Sequence, residues 1–424
     1  MLDHPYPAPT TEELFDRVAH LQHDVRLNGV DAPLWFSKTD VWHGYWQIEV
    51  HPDDLPYLAF TMPVLDCSYQ WCVMPMGTKS STAIFQHAMD QVLAPFSNTN
   101  RFKVCHVLAQ EQAEDCEAPS KTLEVAPAAM GSVRPTAEGA LDQDALWGWA
   151  FGTAFAYVDY VLICSMGSRE EHVALVDAVM ASFAKFDFTF KLSKTELYKS
   201  EMDFLGHRLT QDGLARQAAK VEAIQQWAMP TTQEEVRLFI SMIGYYRRFV
   251  DGFAGVSQPL TDLLREGQFE YPMPPTAQAV SLELRSRLSR APLLKYFDPR
   301  NETELWTDVS GTGVGGAVLQ RDARGNLRPV AYYSRRLSPS EEKYSTYQRE
   351  LLAICDCLLA FQFYLVGLPF VCKTDHCSLQ WLTEQAEMSP LQSCWYTVFL
   401  EYNIKEIQYQ GRKECSRGRP VQTS

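Results

Sequence analysis

The 11 cysteines include no Cys-x-x-Cys pair, the closest spacings being Cys355-x-Cys357 and Cys372-x4-Cys377. Zinc fingers and zinc knuckles are therefore excluded, and free thiols suit a reducing compartment, cytoplasmic or nuclear. Basic residues are also short: 38 Lys and Arg stand against 52 Asp and Glu, a net charge of −14 over 424 residues. A surface that is one continuous phosphate-binding field is ruled out, so any nucleic-acid site must be a local patch. The opening Met1-Leu2-Asp3-His4-Pro5 carries no basic segment leading into an apolar core, and no secretory signal is expected from it. Only residues 145–166 approach the length of apolar chain that a bilayer needs, and Gly148, Gly152, Thr153 and Asp159 interrupt them. The expectation there is a buried strand pair, and no membrane partner.

What is present is enough hydrophobic sequence, 46%, for two or three domains. Residues 291–424 hold 15 basic and 15 acidic residues, leaving 23 basic against 37 acidic before them. The shift suggests a boundary near the prolines at 272–275. A second break, at 98–152, is rich in Ala, Glu and Pro with little apolar periodicity, and reads as an inserted low-complexity loop.

Periodicity places the elements. Residues 46–50 alternate toward a strand, and 80–92 carry Ile84, Phe85, Ala88, Met89 and Val92 at helical spacing. Residues 156–158 and 161–164 flank Asp159-Tyr160 as a hairpin with a two-residue turn. Helices are expected at 170–186 and 218–227, then after a capping box at Thr231-x-x-Glu234. Downstream, 304–307, 314–319 and 330–334 are three successive strands, 341–361 a helix, 370–374 a strand ending on Asp375, and 378–382 a short helix. Acids at two strand ends and in one helix have the disposition of a metal-binding cluster.

Several motifs then occur in order: Phe36-Ser37-Lys38-Thr39-Asp40, Gly44-Tyr45-Trp46-Gln47-Ile48, Met74-Pro75-Met76-Gly77, Ile84-Phe85-Gln86, Tyr157-Val158-Asp159, Phe204-Leu205-Gly206-His207 and Tyr245-Tyr246-Arg247-Arg248-Phe249. This series resembles the reverse transcriptase of gypsy-class LTR retrotransposon Pol polyproteins. Trp306-Thr307-Asp308, Tyr344-Ser345-Thr346, Glu350-Leu351-Leu352-Ala353-Ile354 and Thr374-Asp375-His376-x-Ser378-Leu379 resemble the ribonuclease H of the same family. The resemblance implies an α+β chain: a right-hand polymerase palm and thumb with truncated fingers, followed by an RNase H-like α/β domain. Its segments would be partial fingers and first palm at 1–97, the inserted loop at 98–152, and second palm at 153–206. Thumb and connection would occupy 207–290, the RNase H-like domain 291–410, and a divergent tail 411–424.

By the same resemblance Asp40 and Asp159 are palm carboxylates, and Asp308, Glu350 and Asp375 are three of the four RNase H acids, all five ligating Mg2+, two ions per site. Hard magnesium and phosphoryl transfer both call for clustered carboxylates. Tyr45, Met76, Gly77, Phe85, Gln86 and Lys191, or Lys194 in place of Lys191, would contact the nucleotide. Phe204, Leu205, Gly206, His207, Arg247 and Arg248 would contact nucleic acid. The implied partners are RNA and DNA template-primer, RNA–DNA hybrid and deoxynucleoside triphosphates, with a homodimer left open. Residue by residue, a turn acid, a core tyrosine or a solvated lysine or arginine remains the alternative. The glycines at 311, 313, 315 and 316 precede a strand and not a helix, which excludes a dinucleotide fingerprint. His376 is not expected to be a ligand.

Two departures from the family stand out. Tyr160 occupies the place of a second consecutive aspartate, and a neutral phenol does not replace that charge. From Cys415 onward the tail replaces the segment bearing the fourth RNase H aspartate. The chain accordingly reads as an RNA-directed DNA polymerase with ribonuclease H in a degenerate copy, or as an impaired nucleic-acid-binding relic or host-adopted product.

Overall fold

The computed structural model describes residues 6, 8–27, 31–62, 67–97, 151–265, 269, 271–322, 324–376 and 390–409. The expected loop through 98–150, the short helix at 378–382 and the divergent tail lie outside them. The chain divides into two compact units, Met1–Leu205 and Gly206–Ser424.

The first unit opens with α1 (Thr11–Leu27), started by a reciprocal cap in which the Thr10 hydroxyl accepts from the Glu13 amide and the Glu13 carboxylate accepts from the Thr10 amide. Leu14, Val18, Leu21 and Val25 recur at helical spacing and are buried. There follow β1 (Leu34–Asp40), the exposed hairpin β2 (Ala59–Met62) and β3 (Cys67–Gln70), α2 (Ser81–Leu93), β4 (Phe151–Tyr157), β5 (Tyr160–Met166), α3 (Arg169–Lys185), β6 (Glu196–Lys199) and β7 (Met202–Phe204). The central sheet runs β4-β5-β1-β6, and its pairings are antiparallel. Phe85, Met89 and Val92 of α2 and Leu175, Val179 and Phe183 of α3 pack with Val161 and Ile163 in one core. Each such side chain stabilises the fold by roughly 1.5–3 kcal/mol.

Within the stretch 145–166, residues 151–166 form the β4–β5 hairpin, and among the described residues no helix is long and apolar enough to cross a membrane. Two local expectations shift. The hairpin turn is Val158-Asp159, because Tyr160 already pairs with Tyr157 and with Asp40 in the ladder. Residues 46–50 are not a strand: Gly44–Gln47 form a 3-10 turn, and only Glu49 makes a bridge, to Val73. The Gln47 side chain is drawn instead to the backbone of Trp42 and Thr189.

In the second unit, β8 (His207–Leu209), β9 (Gly213–Arg216) and β10 (Leu294–Lys295) pair antiparallel. Between the last two lie α4 (Ala218–Gln226), α5 (Gln233–Gly244), the short α6 (Phe253–Val256) and α7 (Gln258–Asp262), and α8 (Pro275–Arg290). The proline cluster thus leads into α8 inside this unit. In place of the expected capping box, α5 is capped one residue later by Thr232, whose hydroxyl accepts from the Glu235 amide, while the Glu235 carboxylate accepts from Thr231 and not from the cap residue.

The remainder is a five-stranded sheet ordered β13 (Leu327–Arg336), β12 (Gly313–Arg321), β11 (Thr303–Val309), β14 (Phe370–Thr374) and β15 (Ile404–Tyr409), whose last two pairings are parallel. Helices α9 (Thr346–Ala360), α10 (Gln362–Leu365) and α11 (Pro390–Leu400) accompany it. The helix expected at 341–361 is divided, since Glu341 turns back to Arg335 and Ser345 caps a new start with Gln348. Gly316 is demanded by packing: a Cβ there would stand 2.5 Å from the Cys357 sulfur and 2.6 Å from the Trp306 carbonyl oxygen.

His172 of α3 is fully buried, its Nε2 2.8 Å from the Ser37 hydroxyl and its Nδ1 2.7 Å from that of Ser165. Burial pushes its pKa down to about 4. Below pH 6.5 the unfolded chain takes up a proton that the folded chain refuses, so stability is full above 6.5 and falls as pH drops toward 4. We expect urea melts to lose about 2 kcal/mol to this group between pH 7.5 and pH 5, and His172→Gln to lose correspondingly less. Equal losses in both proteins would contradict the assignment.

Candidate active sites

Two carboxylate groupings are built, one in each unit. In the first, β1 ends on Asp40 directly opposite Tyr160, and the Val41 amide donates to the Asp159 carbonyl at 2.8 Å. Val158 holds a left-handed φ of +54°, which a β-branched residue rarely adopts and which marks a turn held by its surroundings. The holding group is Gln86. Its amide nitrogen donates to the Ala156 carbonyl at 3.0 Å and to Asp90 at 3.0 Å, and its oxygen accepts from the Val158 amide at 2.9 Å.

Asp40 is only 5% exposed, and its Oδ2 accepts from Lys194 Nζ at 2.7 Å. The same ammonium lies 5.5 Å from the centre of the Tyr160 ring. Burial raises the pKa of Asp159; its own backbone amide lowers it, Asp40 raises it further and Lys194 opposes the rise. Lys194 is itself raised, first by its bond to Asp40.

The other residues expected around this site divide by burial. Phe85 and Gln86 are fully buried: Phe85 lies beneath Gly44 and Tyr45, and Gln86 is spent on the hairpin. Both position the site from below and do not present a surface to a nucleotide. Tyr45 is half-buried, with its hydroxyl 3.1 Å from that of Thr82. Met76 is exposed and Gly77 takes φ +85°. Lys191 holds Asp40 through its backbone, its amide donating to the Asp40 carbonyl at 2.8 Å.

Of the residues expected to meet nucleic acid, Phe204 and His207 are buried, Leu205 is half-buried with φ +43°, and the Gly206 carbonyl accepts from the Tyr246 hydroxyl at 2.6 Å. Arg247 and Arg248 lie in a 3-10 turn after α5; Arg247 is exposed, whereas Arg248 is half-buried and donates to the Tyr364 hydroxyl at 2.8 Å. The pair Arg335 and Arg336 is committed internally, to Glu341 and Asp356 and to Asp262 respectively.

In the second unit Asp308 lies in β11, Glu350 in the first turns of α9 and Asp375 just past β14. They converge. Burial, a hydrogen bond to Asp375 and the charges of Asp375 and Asp308 together push the Glu350 carboxyl up to about 9. Glu350 is 3% exposed and its Oε2 is buried with no hydrogen-bond partner. A buried carboxylate oxygen left unsatisfied beside two further acids is a donor set that a hard divalent cation fits. No group of three or more such side chains forms a preformed metal cage among the described residues. His376 stacks edge-on against Tyr347.

The first site offers less. One oxygen of Asp40 already carries an ammonium and the third position is a phenol, so the residues present do not fit a pair of divalent cations.

Comparison with known proteins agrees with both units. The family described as reverse transcriptase (RNA-dependent DNA polymerase) matches residues 6–110, and the RNase H-like domain found in reverse transcriptase matches 298–402. The Pol polyprotein from transposon 297 of Drosophila melanogaster is 27% identical over 417 residues, 97% of this chain and 32% of that protein. Two stretches of the chain thus match the reverse transcriptase and RNase H-like families, and the similar proteins are retrotransposon Pol polyproteins. The Pol polyprotein from transposon gypsy, also of Drosophila melanogaster, is 27% identical over 91% of the chain and 33% of its own length. The Tf2-3 polyprotein of Schizosaccharomyces pombe is 24% identical over 96% of the chain and 25% of its own. The chain thus spans about a third or less of the length of these Pol relatives. In fold it is similar to the foamy viral protease-reverse transcriptase in complex with double-stranded DNA, with a TM-score of 0.64, 18% identity, and coverage of 90% of this chain and 57% of that one. The same viral protein in complex with RNA/DNA hybrid gives a TM-score of 0.61 at 19% identity over 89% of this chain and 44% of that one. The RNase H-like match begins at Asp298, next to β10, and the boundary between compact units falls earlier, at Leu205/Gly206.

The five acids expected from the sequence fall into the two groupings described, but the pairing of Lys194 with Asp40 and the role of Gln86 were not expected. No spacing signals either, since the partners lie 154 and 72 residues apart.

Without metal, the raised pKa of Glu350 makes the stability of the fold fall as pH rises. A carboxyl whose pKa is raised from 4.5 to about 9 favours the folded state fully below 4.5 and loses that contribution as pH rises toward 9. In chelator at pH 8, Glu350→Gln is therefore expected to melt higher than the parent, by roughly 2–4 °C for each kcal/mol relieved. At pH 4 the difference is expected to vanish.

Proposed function

We propose that the chain acts as the RNA-directed DNA polymerase and ribonuclease H segment of an LTR-retrotransposon Pol, working on template-primer and RNA–DNA hybrid. The observation that carries this reading is the convergence of Asp308, Glu350 and Asp375 around an unsatisfied buried carboxylate oxygen, in a chain that also gathers Asp40 and Asp159 at one sheet end. The foamy viral relatives, whose structures are complexes with double-stranded DNA and with RNA/DNA hybrid, support the same partners.

Asp308, Glu350 and Asp375 would hold divalent cations, which when bound activate water and neutralise charge on the phosphate. The chain's own part is to gather these acids and to keep Glu350 dry. In the palm, Asp40 and Asp159 face the reacting end of a primer, Tyr45 and Met76 line the approach of the nucleotide, and Gln86 holds the hairpin turn in place. Primer extension there requires Lys194 to leave Asp40.

A second reading, an impaired nucleic-acid-binding relic, is favoured by the Lys194–Asp40 pair and the phenol at 160. Extension of a primer on an RNA template with magnesium separates the two. Extension abolished by Asp40→Asn establishes a working polymerase; binding without extension in both proteins supports the relic, and recovery with Tyr160→Asp identifies the phenol as the lesion. Cleavage of the RNA strand of a hybrid is expected to fall about a hundredfold or more in Glu350→Gln.

Arg335, Arg336 and Lys194 are committed to internal acids and contribute little to phosphate contact, and Arg412-Lys413 lie outside the described residues. The slope of log affinity for hybrid against log salt is expected between about −1 and −3. A slope of zero would reject a nucleic-acid groove.

A further inference from the structure

The palm places a cation of its own where the surrounding chemistry invites a metal. Lys194 closes a 3-10 turn, Leu192–Lys194, that is tied to β1 on both sides of Asp40. The Lys191 amide donates to the Asp40 carbonyl at 2.8 Å, the Lys194 amide donates to the Lys191 carbonyl at 3.0 Å, and the hydroxyls of Thr39 and Thr195 lie 2.8 Å apart. Lys38 also pairs with Glu196 across the ladder. The backbone thus delivers the Lys194 side chain to Asp40.

At its end the ammonium meets three groups: Asp40 Oδ2 at 2.7 Å, the face of Tyr160 at 5.5 Å from the ring centre, and the charge of Asp159. Asp40 has 7% of its side chain exposed, so the pair is screened less than a surface ion pair on the Asp40 side, although 47% of Lys194 is open to solvent. A carboxylate at 160 would add a third negative charge and draw a divalent cation. The neutral phenol instead offers a ring face, which attracts an ammonium and not a hard metal ion.

We infer that Lys194 is a built-in counter-ion that takes the place of a divalent cation at Asp40, so that Asp40 is compensated without metal. The inference rests on reading Asp40 and Asp159 as the palm carboxylates. Its consequence is that divalent ions reach Asp40 only by displacing Lys194, and the palm binds them weakly.

Mn2+ serves as the probe, its binding followed by electron paramagnetic resonance on the full chain carrying Glu350→Gln and Asp375→Asn, which silence the RNase H-like site. In this background Lys194→Met is expected to gain a Mn2+ site roughly tenfold or more tighter than any in the parent, and adding Asp40→Asn is expected to abolish it. Lys194→Arg, which keeps the charge, is expected to bind Mn2+ as weakly as the parent. Since Lys194 lies on a solvent-facing turn, melting curves are expected to show all variants folded at the temperature of measurement. An Asp40-dependent site equally tight in parent and Lys194→Met would overturn the inference and leave the palm reading standing. Absence of any Asp40-dependent site in every variant would overturn both. A gain in Lys194→Arg as large as in Lys194→Met would show that charge is not the cause and would also overturn the inference.

Discussion

Everything in the palm hangs on one buried amide. Gln86 reaches from α2 to the hairpin and satisfies the Val158 amide and the Ala156 carbonyl, two backbone groups that would otherwise be left without partners. Through them it keeps Val158 left-handed, and through Val158 it fixes where the Asp159 backbone meets Val41. An unsatisfied buried amide costs about 1–3 kcal/mol, so losing Gln86 would loosen the turn that sets the approach of Asp159 to Asp40.

The two units handle surplus negative charge in opposite ways. In the palm, a lysine supplied by a neighbouring turn answers Asp40, and the result is a site at rest. In the RNase H-like domain Glu350 is buried, the charges nearest it are those of Asp375 and Asp308, and one of its oxygens has no hydrogen-bond partner, so its carboxyl is pushed up to about 9. A site of the first kind gains little from an added cation; one of the second kind is relieved by it. The same chain therefore holds one centre that is quiet without metal and one that is strained without it.

Much of this was legible in the sequence. Hydrophobic period located α2, α3, α9 and the strands β11 to β13, because amphipathic faces leave a local trace. The ordered motifs carried Asp40, Asp159, Asp308, Glu350 and Asp375. What local pattern misjudged were places where a distant partner decides the conformation. Residues 46–50 alternate like a strand, yet Gln47 is taken by Thr189, 142 residues away. Tyr160 looked like a turn residue until its pairing with Asp40 drew it into β5. Phe85 and Gln86 were expected to meet a nucleotide because they lie in a conspicuous motif; the fold uses them as supports instead.

The glycines show how such a chain ages. At Gly316 a single methyl group would collide with Trp306 and Cys357, and at Gly44 it would collide with the Phe85 ring, so neither position tolerates change without disturbing a core. Tyr160, by contrast, is 37% exposed and its ring rests against a solvent-facing lysine, so a different side chain at this position would leave the packing intact. Residues that decide folding and residues that decide chemistry are thus different sets. The charge at 160 can therefore change while the chain stays a well-folded body.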